Sequence, residues 1–186
     1  MTQPPNERYA PITDDAWPAE IADMLLGFAG GLNVYRTMAH HPALLSAWTN
    51  LREHVVNQTT LGAVCSEVVI LRTGTRLGSP YEWHQHIIRA RKCGMDDRRI
   101  ASLGGPTTGM SPNDAIIASA VDELFADHKI SAQTEAALRA LTGKHGVMDV
   151  IATVGFYSTL GYILNTFETP LDQDIAAQLR ADPLIT

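Results

Sequence analysis

Three residues, Gly78-Ser79-Pro80, separate two stretches that both read as helix, and this break constrains the chain more than any other feature of its sequence. Upstream, Gly62 to Leu77 sets Val64, Val68, Leu71 and Thr75 along one side. Downstream, Tyr81 to Lys92 runs on to a stop at Gly94. Helices joined by so short a break form a hairpin or a sharp corner. Residues of the first helix are thereby brought back against residues of the second.

The rest of the chain is punctuated in the same way, and strand signals are weak. Asp15-Ala16-Trp17-Pro18 opens a helix expected to reach about Phe28, where Gly30-Gly31 ends it. A short segment, Asn33 to Ala39, leads to Pro42, whose fixed φ suits the first turn of a helix. There Leu44, Leu45, Trp48, Leu51, Val55 and Val56 form one stripe. Asp96 caps a short helix to Leu103, and Ser111-Pro112-Asn113-Asp114 is a further helix start after a Gly/Pro/Thr-rich loop. Ser131 caps a helix to Leu141, closed by Gly143; Val147 to Phe167 is the most apolar helix, and Leu171 to Arg180 a last short one. The expectation is an all-α bundle of about seven to nine helices, one domain over residues 17–186, preceded by an extended arm at residues 1–16.

With 186 residues the chain can bury one substantial core. Charged residues are only 18%, which fits surface buried in the core or against other subunits. A net charge of −6 argues against a nucleic-acid partner. Met1 to Asp15 lacks the basic start and apolar run of a signal peptide. Val150 to Phe167 is uncharged but short for a span and holds Thr, Ser, Gly and Asn, so a core helix is expected rather than a membrane one. Cys65 and Cys93 show no metal or disulfide spacing and read as reduced thiols of a cytoplasmic protein.

The chemistry gathers at Glu67, Ser79, Glu82 and His86. Residues four apart share a helix face, so Glu82 and His86 are neighbours, as are Tyr81 and Gln85. A carboxylate beside an imidazole is an acid/base pair, the carboxylate fixing the ring's tautomer. Glu67 sits among Val64, Val68, Val69, Ile70 and Leu71; turned inward, it needs a partner such as His86. His84 faces away, and Glu82 does not lie between two His spaced by four, so no metal site is expected here.

Glu67, then Ser79 twelve residues on, Glu82 three further and His86 four further reproduce the register Glu-x11-Cys-x2-Cys-x3-His. With Glu67-Val68-Val69-Ile70-Leu71-Arg72, Tyr81-Glu82-Trp83-His84-Gln85-His86 and the upstream Tyr35-Arg36-Thr37-Met38-Ala39-His40-His41-Pro42, the chain resembles the alkyl hydroperoxidase D and carboxymuconolactone decarboxylase family. The likeness covers residues 33–103 well and residues 149–172 more loosely. It implies an alkyl hydroperoxidase D-like helical bundle and a homo-oligomer, commonly a trimer or a hexamer. Ser79 and Glu82 stand where redox-active members carry two cysteines, and neither can be oxidised and recycled as a thiol can. The resemblance to the decarboxylase branch implies a lyase without metal or organic cofactor, acting on a small, carboxylated molecule. His86 is then the acid/base, oriented by Glu67 or Glu82. Arg36, Arg72 and Arg76 are candidate anion binders. Tyr81, Ser79 and His40 are candidate substrate contacts. Two other readings stand beside this one: a thiol peroxidase, and a small-molecule-binding oligomer without catalysis.

Overall fold

A computed structural model of the chain describes residues 5–185. Among the described residues there are nine α-helices and no strand: α1 (Pro5–Arg8), α2 (Asn33–Met38), α3 (Pro42–Glu53), α4 (Gly62–Leu77), α5 (Pro80–Lys92), α6 (Asp97–Ser102), α7 (Pro112–Asp127), α8 (Ala132–Phe167) and α9 (Gln173–Ala181). The expected all-α bundle is the fold observed. Its helix starts are local chemistry. Pro occupies the first turn of α3, α5 and α7, and the side chains of Asp96, Ser111 and Ser131 accept from the amides of Arg99, Asp114 and Thr134.

The hairpin of α4 and α5 is the centre of the molecule. Nine consecutive residues of α4, Ser66 to Gly74, are buried, as expected of a helix packed on several sides. Gly78 ends it in the left-handed region (φ 57°, ψ 41°), where a side chain would be strained, and the chain turns straight into α5. Two apolar clusters flank the hairpin. One gathers Val68, Val69, Leu71, Ile87, Ile117, Val121 and Leu138 between α4, α5, α7 and the first half of α8. The other gathers Tyr35, Met38, Leu45, Ile70, Phe156 and Leu160 between α2, α3, α4 and the second half of α8. The two meet where α4, α5 and α8 touch, and the titratable residues lie there.

Gly143 (φ 75°, ψ 175°) divides α8 into the two helices read from the sequence. Taken whole, α8 is long and apolar enough to cross a membrane, yet 56% of its most apolar window is buried inside the protein. Between α3 and α4 the chain makes a π-helical turn, His54–Gln58. Asp149 of α8 fastens this region: it accepts from His54 Nε2 (2.7 Å), Thr59 Oγ1 (3.1 Å) and both the amide and hydroxyl of Thr60 (2.7 Å each). Burial opposes its charge, but those hydrogen bonds outweigh it and hold the carboxyl down to about 2.

The segment after residue 14 departs from expectation. Instead of a helix from Asp15 to Phe28 there are two 3₁₀ pieces, Asp14–Ala16 and Ala19–Met24, the second distorted at Ile21 (φ −128°, ψ 30°). Pro18 holds Trp17 extended (ψ 133°), and the Trp17 indole donates to the Ile21 carbonyl (2.8 Å), taking an acceptor the helix would need. The arm is not wholly extended either. It contains α1, and Tyr9 beyond it stacks on Phe167 (4.2 Å between ring centroids).

Candidate active site

Glu67 from the middle of α4 and Glu82 and His86 from α5 meet as a chain. His86 Nδ1 lies 2.7 Å from Glu67 Oε2, and Nε2 lies 3.5 Å from Glu82 Oε2. A carboxylate only accepts, so the bond to Glu67 is donated by Nδ1–H, and Nε2 is the ring nitrogen turned toward Glu82. The carboxylates flank opposite ring nitrogens, which makes the group a relay rather than a cage around one point. The close approach of the two helices needs Gly74, whose missing Cβ would stand 3.3 Å from the Cβ of Glu82.

All three residues are buried, Glu82 and His86 to 3% exposure and Glu67 to 8%. Burial pushes the Glu82 carboxyl up to about 8; Arg89 opposes the shift and Glu67 adds to it. Glu82 is therefore a carboxylic acid at neutral pH, able to give a proton. Its Oε1 has no hydrogen-bond partner, nor have Gln85 Oε1, Ser79 Oγ and Ser66 Oγ nearby in sequence. Buried polar atoms are ordinarily satisfied, so this set is unusual.

Two cavities reach the relay. A small inner chamber, with room for little more than a water molecule (about 20 Å³), is lined by Glu82, Gln85, His86, Arg52, Arg89, Tyr35, Tyr81 and Tyr157 among others. An outer vestibule of about 390 Å³ is lined by Glu67, Ser66, Asn57, Arg89, Lys92, Cys93 and Tyr157. Val56, Arg89 and Tyr157 border both and form the partition. Arg52 and Arg89 pair with no carboxylate among the described residues, although seven other ion pairs in the protein involve arginine.

The expected anion binders are elsewhere. Arg36 donates to the carbonyls of Gly30 and Ile12 and pairs with Asp14, pinning the arm to α2. Arg72 is consumed by both oxygens of Asp122 (2.7 and 2.6 Å) and by the carbonyls of Leu103 and Gly105. Arg76 leans on the same Asp122 at 3.7 Å. His40 holds the Ala10 carbonyl (2.8 Å) and packs edge-on to Tyr9. Tyr81 borders the chamber, but its hydroxyl donates to Asp172 and accepts from the Val34 amide, so it ties α5 to α2 and to the α8–α9 connection. Ser79 sits at the α5 cap, buried, and borders neither cavity.

What replaces them is Arg89, Arg52 and Tyr157. The helix-face rule that joined Glu82 to His86 also reaches Arg89, three residues further on. No comparable signal marks Arg52 or Tyr157, which arrive from α3 and α8.

Residues 42–120 match the carboxymuconolactone decarboxylase family. The match is confined to this stretch. It contains Arg52, Glu67, Ser79, Glu82, His86 and Arg89, while Arg36, His40 and Tyr157 fall outside it. A likeness of fold extends over nearly the whole molecule. The structure is similar to that of a cysteine-to-alanine variant of the debrominase Bmp8 in complex with 2,3,4-tribromopyrrole. The TM-score is 0.75, over 93% of this chain and 96% of that one, with 10% sequence identity. At that identity the likeness concerns the fold. No curated protein matches the chain.

Proposed function

We propose that this protein is a carboxymuconolactone decarboxylase-like lyase that moves protons between carbon and its Glu/His relay on a small, carboxylated substrate, without a cofactor. The observation that carries the reading is Glu82: a carboxyl kept protonated by burial, facing Nε2 of His86, with an unpaired guanidinium on the same helix face. In a decarboxylation, Arg89 and Lys92 draw the substrate carboxylate into the vestibule. As the C–CO₂ bond breaks, its electron pair flows into an adjacent carbonyl to give an enolate, and Glu82 returns a proton to the carbon. The cycle closes when His86 takes a proton from solvent at Nε2 and hands it to the Glu82 carboxylate, while Glu67 holds the transient imidazolium through Nδ1–H.

A thiol mechanism is less well supported. Burial, with Asp114 for Cys65 and Glu67 for Cys93, raises both thiols above their ordinary value, which works against a thiolate nucleophile.

The test is a panel of small carboxylated lactones and 3-oxo acids in D₂O, followed by CO₂ release and by NMR for deuterium at the carbon that lost its carboxylate. His86→Asn and Glu82→Gln are expected to lose at least about 100-fold in turnover while keeping the wild-type helical signal. Undiminished turnover in both variants would sink the proposal. Peroxide consumption that vanishes with Cys93→Ser would put the thiol reading in its place.

A further inference from the structure

Tyr157 takes no part in the relay, yet it is placed as though it should. It stands on α8, 5% exposed, with its ring edge-on to His86 (5.1 Å between centroids, 87° between planes). It borders both the inner chamber and the vestibule. Tyr81, the other phenol on the α5 side, spends its hydroxyl on Asp172 and Val34. The Tyr157 hydroxyl makes no hydrogen bond among the described residues. Two further donors border the same chamber without a carboxylate: Arg89, and Arg52, whose Nε is buried with no partner and whose guanidinium is held 4.1 Å over the Phe28 ring. Arg52 is partly engaged by Tyr35, so Tyr157 and Arg89 are the two donors beside Glu82 with no acceptor among the described residues. Such an arrangement is complementary to negative charge on oxygen that exists only while a substrate reacts.

We propose that Tyr157 is a further catalytic residue, whose hydroxyl donates to the enolate oxygen formed when the substrate loses CO₂ or a proton. The proposal rests on the lyase reading above. In the step, the electron pair of the breaking C–C or C–H bond becomes the new C=C bond, and the carbonyl π pair moves onto oxygen. Tyr157 holds that oxygen by a hydrogen bond and keeps its own proton; the charge is discharged when Glu82 protonates carbon. Burial, together with Tyr35, Glu82 and Glu67, raises the phenol well above its ordinary value, so it stays a donor throughout the working pH range. A donor set fixed in a small, buried chamber acts without reorganising.

The probe is 4-hydroxy-3-nitrobenzoate, a stable phenolate with a carboxylate for Arg89 and a chromophore that reports hydrogen bonding at the phenolate oxygen. Wild-type protein is expected to bind it and shift its absorption. Tyr157→Phe, which keeps the edge-on packing against His86, is expected to bind at least about 10-fold more weakly and to lose the shift. Arg89→Gln is expected to weaken binding but keep the shift. On any substrate found in the panel, Tyr157→Phe should lower kcat by about 100-fold with little change in KM. In wild-type protein carrying ¹³Cζ-tyrosine, one resonance must move when the probe is added, a check that needs no variant. An unchanged shift and affinity in Tyr157→Phe overturn the proposal. So does a wild-type protein that turns over the panel without shifting the probe, and in that case the lyase reading survives. A shift carried by Tyr157 without any turnover on the panel leaves the oxyanion site standing and removes the lyase reading.

Discussion

Two regions of buried polar groups flank the α4–α5 hairpin, and they are opposite in one respect. On the α7 side every strong group is answered. Arg72 has four acceptors, and Arg99 grips both oxygens of Asp114 at 2.8 and 2.7 Å. On the α8 side, Glu82, Gln85 and Arg52 each keep a buried atom with no partner, and Arg89 has no counter-ion. Unanswered buried groups cost stability, of order 1–3 kcal/mol each, so a fold has reason to remove them unless a ligand completes them. The α7 side therefore reads as scaffold, and the α8 side as the place where something binds.

The contrast can be broken from the scaffold side first. Arg72→Ala strips Asp122 and two carbonyls of their shared donor, and the loss should be about 3–5 kcal/mol in urea unfolding. Glu82→Gln goes the other way, and its sign depends on pH. The folded carboxyl titrates near 8, above the ordinary 4.5, so the folded state holds an extra proton between those values. Wild-type stability is then expected to fall as pH rises through that window and to level off above about 8. Glu82→Gln removes the slope, so urea midpoints at pH 5 and pH 8.5 should show the variant gaining on wild type. A gap between the two proteins that is equal at both pH values would mean that Glu82 is ionised like a surface carboxylate. The smallest effect belongs to Arg76→Ala: the side chain is 39% exposed and 3.7 Å from Asp122, and melting curves should place its loss below about 0.5 kcal/mol.

The same contrast explains what could be read in the sequence. Capping residues, the break at Gly78 and the closure at Gly143 depend on neighbours along the chain, so the helices could be placed from local chemistry. The one lost helix, after Asp15, failed because Trp17 reaches a carbonyl four residues ahead. Glu67, Glu82 and His86 were legible because one spacing rule and one short break join them. Among the arginines the sequence offered no distinction: Arg72 and Arg89 lie on the same hairpin with similar surroundings. Only the fold reveals that Asp122, fifty residues away, claims the first, and that nothing claims the second. Tyr157 lies 71 positions beyond His86 on another helix, outside the stretch matched to the family.

The π-helical turn at His54–Gln58 gives the vestibule a different kind of adjustability. Such a turn holds one residue more than the α-helical turn it replaces. Deleting a single residue there would restore ordinary winding and re-aim side chains within the turn by up to roughly 100° each. Val56 and Asn57, which border the vestibule, would swing to a new bearing while Glu67, Glu82 and His86 stayed where they are. One residue gained or lost there would reshape the vestibule wall in a segment that carries none of Glu67, Glu82 and His86.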